Sequence, residues 1–505
     1  MAQGLIAAFD VGTTAAKGVL VDRDRGIVCE QACGYDVLHR PGGHVEQEPD
    51  DWWEAVRRLA RAFWQAGWDP REVEAIALTG QMQDVILVDG ENRAVGPAIL
   101  YSDARAAAQA VSICATLRGQ GVPDDETVFV DGTAPVAKLA WLRERDPTAV
   151  AACARVLFNA KDYVLARLTG VCAADATTAA TTGLYSMEAR GWRTEWCDTL
   201  GIPARWLPPL LPPDAVAGPV SDAGARATGF AAGTPVYGGM GDAAAATLSA
   251  GLTAPGQAYM YLGTTGWAAS LDRAVDTSAE GKGVRHLPYV TAGDVIRIAP
   301  VLNAGGVHRW IARLLDAGEG AGDEGAPVDY ARFERLLEGE SGRSGGALFL
   351  PYLDGERCPV QESRAMGVFV RLGSGTGRGA LGWAVLEGIA FSLRQVLETL
   401  GASTPAITVL GGMARSPLVR QLVADVCGVH VRARAMPGSA GALAAAVPAA
   451  VARGWFAGIP GATAAWFGPA PADMPEAAPS PSRVAHYEAL YWVYEQIYPL
   501  VSQIG

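Results

Sequence analysis

The sequence predicts an α/β protein made of two similar domains with a cleft between them. Three observations carry this expectation. At 505 residues the chain exceeds what a single hydrophobic core organises. Its first half alternates short apolar runs with amphipathic helical stretches. The phrase FDVGTTAAKGVLVD, Phe9 to Asp22, returns as YLGTTGWAASLD, Tyr261 to Asp272, each copy passing through Gly-Thr-Thr into a second apolar run that ends in Asp.

Taken in order, LIAAFDVG and KGVLVD read as a hairpin turning near Gly12, and RGIVCEQACGYDV supplies a third strand. Pro49, Asp50 and Asp51 then open a helix in which Trp52, Val56, Leu59, Ala60 and Phe63 recur at helical spacing. VEAIALTGQ is a buried strand ending in a glycine turn. TPVYGGMGD, Thr234 to Asp242, runs from a strand into a glycine-rich loop, and AAAATLSAGL continues as a small-residue helix. QAYMYLGTTGWAASLD is the second hairpin, so the plan restarts near residue 247. Gly318 to Gly325 reads as a flexible acidic loop and PAPADMPEAAPSPS as a Pro/Ala linker. The final RVAHYEALYWVYEQIYPLVSQ spaces tyrosines and leucines by three and four, an amphipathic terminal helix that can dock on its own body or on a second copy in a homodimer. The expected domains are 1–246 and 247–479, with 480–505 as a helix packed on the body.

Composition narrows the function classes. Half the residues are hydrophobic and 19% are charged, which is globular rather than disordered. A formal charge of −12, from 41 Lys plus Arg against 53 Asp plus Glu, disfavours nucleic acid and anionic membranes as partners. Any anionic ligand must then be held by local backbone dipoles or by a metal. The eight cysteines stand singly with no C-x-x-C pair, so they read as mostly buried free thiols in a reducing compartment. MAQGLIAAFD has no basic n-region and meets Asp10 early, unlike a signal peptide. The apolar stretch from Ser439 is Ala/Gly-rich and interrupted by Pro448 and Arg453, a packed helix rather than a membrane span. A soluble, cytoplasmic protein is expected.

The repeated turn has a chemical use. Glycine lets the backbone approach a ligand closely, and successive N–H groups in such a turn form an anion-binding concavity. Two such turns across a cleft can hold a polyphosphate from both sides. Asp10 ends the first strand beside its own turn, and a carboxylate next to polyphosphate calls for a cation between them, Mg²⁺ above all. The second turn has Tyr261 at the corresponding place. Asp242, after the glycines of GGMGD, fits either a helix N-cap or a general base for an attacking hydroxyl, and spacing alone leaves both open.

Across nearly the whole chain, to about residue 450, these segments resemble the FGGY carbohydrate kinases of the sugar-kinase, heat-shock ATPase and actin superfamily, closest to the xylulokinase-like branch. FDVGTTAAK is similar to the family's first phosphate loop, and EQEPDDWWEAV and TGQMQD to its sugar-side segments. TAPVAKLAWL resembles the first family signature, with Pro135, Lys138 and Trp141 in place; AKDYVLARLTG, GGMGDAAAA, LFLPYLDGERCPVQESRAMGVF, VLEGIAFSLRQ and ITVLGGMARSPLVRQLVADV follow in the family's order. The resemblance implies two ribonuclease H-like domains, and ATP and Mg²⁺ as co-substrate and cofactor. It implies Asp242 as catalytic base and Asp10 as the Mg²⁺ residue, through water. Gly12, Thr13, Thr14 and Lys17 would lie at the phosphates from one domain, and Gly263, Thr264 and Thr265 from the other. Gly411, Gly412 and Met413 would form the adenosine pocket, with Asn303, Gly305 and Gly306 on the nucleotide side. Met82, Gln83 and Asp103 would face the sugar.

The chain also departs from the pattern. Xylulokinases carry GQMHG where this sequence reads GQMQD, so Gln83 replaces an imidazole, and Ala243 stands where they have Asn after the base. A site that hydrogen-bonds a hydroxyl rejects analogues lacking it, so these swaps bear on which sugar is accepted. D-Xylulose leads the expected acceptors, with ribulose, glycerol, erythritol or gluconate as alternatives. A non-catalytic sugar- or nucleotide-binding regulator is the reading from another class. Glu387 and Arg394, on one predicted helix, read as an ion pair, and Trp52 and Trp53 as helix packing.

Overall fold

The computed structural model describes residues 4–123, 127, 130–275, 281–315, 328–338, 344–434, 438–468 and 474–503. The acidic stretch Gly318–Gly325 and part of the Pro/Ala linker lie outside the described residues. The first hairpin forms as expected: β1 (Leu5–Val11) pairs antiparallel with β2 (Ala15–Asp22), and β2 with β3 (Gly26–Gly34). On its other side β1 pairs in parallel with Val73–Gly80, which pairs in parallel with Pro235–Tyr237. The resulting seven-stranded sheet also takes in Val216–Pro219 and Met240–Gly241.

The second sheet, of six strands, repeats five consecutive strands of this plan and adds Arg285–Pro288 at its edge. Ala258–Leu262 pairs antiparallel with Gly266–Asp272, which pairs antiparallel with Val295–Val301; on the other side it pairs in parallel with Ala406–Leu410, followed by His430–Ala433. The two hairpins differ in one respect. Val11 faces Ala16 across a four-residue turn, whereas Leu262 faces Gly266 across three.

Helix α1 (Pro49–Gln65) starts at the Pro-Asp-Asp signal and buries Trp52, Val56, Leu59, Ala60 and Phe63 on one side, the apolar stripe read from the sequence. It packs against β2 and β3. A separate five-stranded sheet, which includes His44–Gln47, Met82–Val88 and Arg155–Asn159, extends the first domain. Helix Arg378–Thr399 is long and apolar enough to cross a membrane, but 83% of its apolar window is buried in the second domain's core.

Two helices link the halves. Helix Asp242–Ser249 follows the first sheet, yet its Ala244, Ala245 and Leu248 pack with Tyr259, Ala269 and Ile296 of the second. Helix Ala440–Ala452 follows the second sheet, yet its Ala442, Ala445 and Ala449 pack on Ile6, Ala8 and Ala77 of the first. They touch where Ser249 Oγ donates to Ala440 O at 3.1 Å. Alanines let the two helices and the sheets approach closely, and Pro448 sits within the second helix without ending it.

The terminal stretch forms helices Pro481–Glu495 and Ile497–Val501, and Tyr487, Tyr491 and Tyr494 bury around Phe391, so its apolar face docks on its own body. Two expectations need correction. Arg394 pairs with Glu398 and Glu488, while Glu387 accepts from the Tyr487 hydroxyl, because the terminal helix brings its own carboxylate and phenol to this surface. The cysteines are all free, but only Cys153, Cys197 and Cys358 are buried and five are half-buried. Cys29 and Cys33 illustrate the reason: they lie on β3, an edge strand of its sheet.

Candidate active site

The first Gly-Thr-Thr turn is braced from behind. Gly12 N–H donates to Ala15 O at 3.2 Å, the Tyr35 hydroxyl donates to Gly12 O, and Gln47 Nε2 donates to Thr13 O at 2.7 Å. With two carbonyls tied back into protein, Thr14 stands exposed and Thr13 half-buried. Gln47 itself is buried, and its Oε1 accepts from Trp52 Nε1 and Gln81 Nε2. Part of the segment expected on the sugar side thus holds the first Gly-Thr-Thr turn.

The second turn gathers most of the residues that the resemblance places on the nucleotide side. Gly263 O and Thr264 O accept from the N–H groups of Gly305 and Gly306, both at 2.8 Å, which seats helix Gly305–Leu315 on the turn. Only glycine fits here: a β-carbon on Gly305 would run into Gly263 O, and one on Gly411 would lie 2.5 Å from Leu262 O. Gly411 also has φ +95°, the left-handed region. Gly263–Thr265, Gly305, Gly306 and Gly411–Met413 therefore come together, with Met413 buried and Thr264, Thr265 and Gly412 exposed. Asn303 does not open to this surface. It is buried, and its Nδ2 donates to Gly355 O at 2.6 Å and to Glu356 at 3.0 Å, so it fixes the loop behind the turn.

Asp10, on β1, faces Lys17 in the hairpin register. Burial raises its pKa and Lys17 opposes that rise. Asp242 is the first residue of its helix; the cap position belongs to Gly241 and carries no side-chain cap bond. The Asp242 carboxyl is ringed by protein yet open to the cleft, and its pKa is pushed up to about 7 by desolvation and then by the charge of Asp10. The two acids, one near the end of β1 and one at the start of a helix, are close enough for the charge of Asp10 to act on Asp242. They would suit a hydrated divalent cation: Asp10 is desolvated and its charge raises the cost of ionising Asp242, and a cation beside them would relieve both. Among the described residues no group of three or more His, Cys, Asp or Glu side chains forms a metal cage, so water and phosphate oxygens would complete the shell.

Met82 and Gln83, expected at the sugar, open the strand that begins two residues after Gly80, the end of a central strand. Gln83 has φ +67°, unusual for a residue with a side chain, and its Nε2 donates to Thr133 Oγ1 at 3.1 Å. Lys138 holds that backbone: its buried ammonium donates to Leu100 O at 2.7 Å and Gln83 O at 3.3 Å. Burial lowers the Lys138 pKa to about 8 and drives that of neighbouring Asp84 well up. Lys138 stands in the segment that resembles the family signature, but nothing in the sequence signals which groups it holds.

Asp103 departs from its expected place at a ligand. It is fully buried, and its carboxylate accepts from Arg105 at 2.6 Å and from Val45 N–H at 2.6 Å. Burial alone would raise its pKa, but Arg105 and the N–H donors outweigh that and hold it low. Arg105 also pairs with Glu46 at 2.8 Å. A carboxylate this committed anchors the loop and leaves little capacity for a sugar hydroxyl.

Comparison with known proteins shows the family. Residues 5–249 match the model of the FGGY family of carbohydrate kinases, N-terminal domain, and residues 258–453 match its C-terminal domain. The chain is 27% identical to a xylulose kinase of Bacillus subtilis (strain 168), over 98% of this chain and 96% of that protein. Among solved structures it resembles the xylulose kinase from Rhodospirillum rubrum, with a TM-score of 0.86, 26% identity and 99% of each chain covered. It resembles the gluconate kinase from Lactobacillus acidophilus almost equally, with a TM-score of 0.85, 25% identity and coverage of 99% and 98%.

Proposed function

The chain belongs to the FGGY family of carbohydrate kinases and is a sugar kinase, and we propose that it transfers the γ-phosphoryl group of Mg·ATP to a hydroxyl of a small ketose of the D-xylulose kind. The observation that carries this reading is Asp242, an exposed carboxyl at the start of its helix whose pKa is pushed up to about 7, with Asp10 close enough to contribute to that rise.

In the proposed reaction Asp242 takes the proton of the acceptor hydroxyl as its oxygen attacks the γ-phosphorus. The bond to the β–γ bridging oxygen breaks and ADP leaves. A base with a pKa near the working pH suits this task, which is typically worth about 10²–10⁴-fold. Thr13, Thr14 and Lys17 from one side, and Gly263, Thr264 and Thr265 from the other, position and neutralise the transferring group. Magnesium, held through water by Asp10, would supply charge neutralisation on the phosphates. Gly411, Gly412 and Met413, beside Gly306, form the nucleoside side. Met82 and Gln83 face the acceptor. Closure of the two halves on the sugar would exclude water from the γ-phosphate.

The acceptor is tested by ADP release with Mg·ATP across D-xylulose, D-ribulose, L-xylulose, L-ribulose, glycerol, erythritol and gluconate. D-Xylulose as the strongest responder is the expected outcome. A second reading, gluconate, has two observations in its favour: Gln83 replaces one polar group of the xylulokinase pattern and Ala243 removes another, and the likeness to a gluconate kinase is nearly as close as that to a xylulose kinase. A non-catalytic regulator is disfavoured because Asp10 and Asp242 are both retained.

A further inference from the structure

Beneath Asp242 lies a buried polar cluster to which the reading above gives no task. Lys161 is completely buried, and its ammonium lies 2.6 Å from Asp162 and 3.0 Å from Asp175. It also donates to Gly238 O at 3.2 Å. Asp175 accepts from Gly241 N–H at 3.1 Å, from Thr178 N–H at 2.9 Å and from Thr178 Oγ1 at 2.7 Å. Thr178 Oγ1 in turn accepts from Asn159 Nδ2 at 3.1 Å, and the same Nδ2 donates to Gly80 O at 2.9 Å.

The cluster therefore grips both ends of the loop Gly238–Gly241 that delivers Asp242, and also the strand end that delivers Met82. The fit between the two is tight: a β-carbon on Gly241 would run into Met82 Sδ and stand 3.1 Å from Thr178 Oγ1. Gly239 is pinned as well, with φ +72° and a β-carbon position that Leu78 O forbids.

Burying an ammonium and two carboxylates for stability alone is a poor arrangement, because desolvation offsets most of the attraction. What such a cluster supplies is a fixed geometry. We propose that Asp175 and Lys161 are positioning residues for phosphoryl transfer, joining the Asp242 loop and the Met82 strand end so that base and acceptor hydroxyl are held at one fixed spacing. This inference rests on Asp242 being the base. Asp175 reaches the reaction only through Gly241 N–H, and Lys161 only through Asp175 and Gly238 O.

The test compares Asp175→Asn, Asp175→Ala and Asp242→Asn with the wild-type enzyme, using the best acceptor of the panel. Active sites are counted by nucleotide-binding stoichiometry. Asp175→Ala should lower kcat per active site by about 10- to 100-fold, the scale set by a displacement of about 1 Å. It should also raise KM for the sugar several-fold while leaving KM for ATP within about twofold of wild type. Asp175→Asn keeps an acceptor for Gly241 N–H and should fall between the two. KM does not depend on the folded fraction, so a residue that merely stabilises the fold would leave both KM values unchanged. Wild-type kcat and sugar KM in Asp175→Ala, with Asp242→Asn inactive, would overturn the positioning role and leave the base in place. Full activity in Asp242→Asn would instead remove the base on which the inference stands.

Discussion

Gly441, in the first turn of helix Ala440–Ala452, lies against the carboxylate of Asp10: a β-carbon at residue 441 would run into Oδ2 and stand 2.9 Å from Cγ. A helix that follows the second sheet thus places its first turn on the acid of the first, with room for nothing larger than hydrogen. Asp10 is short, so it could yield only by turning away from its present direction.

Gly441→Ala should therefore separate stability from activity. Alanine is favoured over glycine by up to about 1 kcal/mol in a helix interior, which offsets part of the cost of turning Asp10 away, so the melting temperature should fall only slightly. Turnover with Mg·ATP should nevertheless drop by about 10-fold or more if Asp10 is displaced. Melting curves and steady-state kinetics on the same preparation check this; unchanged kinetics would show that Asp10 can move without cost.

Asp10→Ala should weaken the use of magnesium. The magnesium concentration for half-maximal rate should rise, with sugar affinity near wild type. An unaltered magnesium titration would count against the metal role.

Asp242→Asn should lower kcat by about 10²–10⁴-fold with nucleotide affinity nearly unchanged. The wild-type rate should climb with pH through the region of pH 7, where Asp242 loses its proton, and the variant should lack that limb. The same residue predicts a stability difference without magnesium or nucleotide. Its folded pKa, about 7, exceeds the ordinary 3.8, so the folded state keeps a proton that the unfolded chain has lost between those values. Wild-type stability then falls as pH rises through that window, and asparagine escapes the loss. Asp242→Asn should melt like wild type near pH 4 and higher than wild type at pH 8.

Gln83→His should change the order of sugars in the panel with little loss of stability. Histidine tolerates the left-handed backbone that Gln83 adopts at φ +67°, so the segment can keep its path. The hydrogen bond to Thr133 Oγ1 is lost and an imidazole enters the sugar side. An identical substrate profile would place residue 83 out of reach of the acceptor.

Local signals decided much of the fold. The strand–turn–strand repeat at Gly12 and Gly263, the Pro49 helix start and the amphipathic terminal helix all depend on neighbours in sequence, and each formed where its pattern lies. The asymmetry of the two turns was equally legible, since Asp10 and Tyr261 precede their glycines by the same two residues.

What sequence could not supply was the partner of each polar group. Asp103 read as an open carboxylate until Arg105 folded back on it. Asn303 read as a lining residue until Glu356 and Gly355, some 50 residues on, claimed its amide. Gln47 stood in a segment assigned to the sugar and reaches Thr13 O instead.

By itself, then, the sequence determined the duplicated α/β plan, the two Gly-Thr-Thr turns and the family, because backbone conformation and apolar periodicity are set by adjacent residues. Tertiary structure alone decided that the two alanine-rich linking helices each cover the other domain's sheet, that Gly441 touches Asp10, and that Lys161 and Asp175 lie beneath Asp242. Those contacts join residues tens to hundreds of positions apart. Their existence depends on how the two sheets are brought together, a relation that no local pattern encodes.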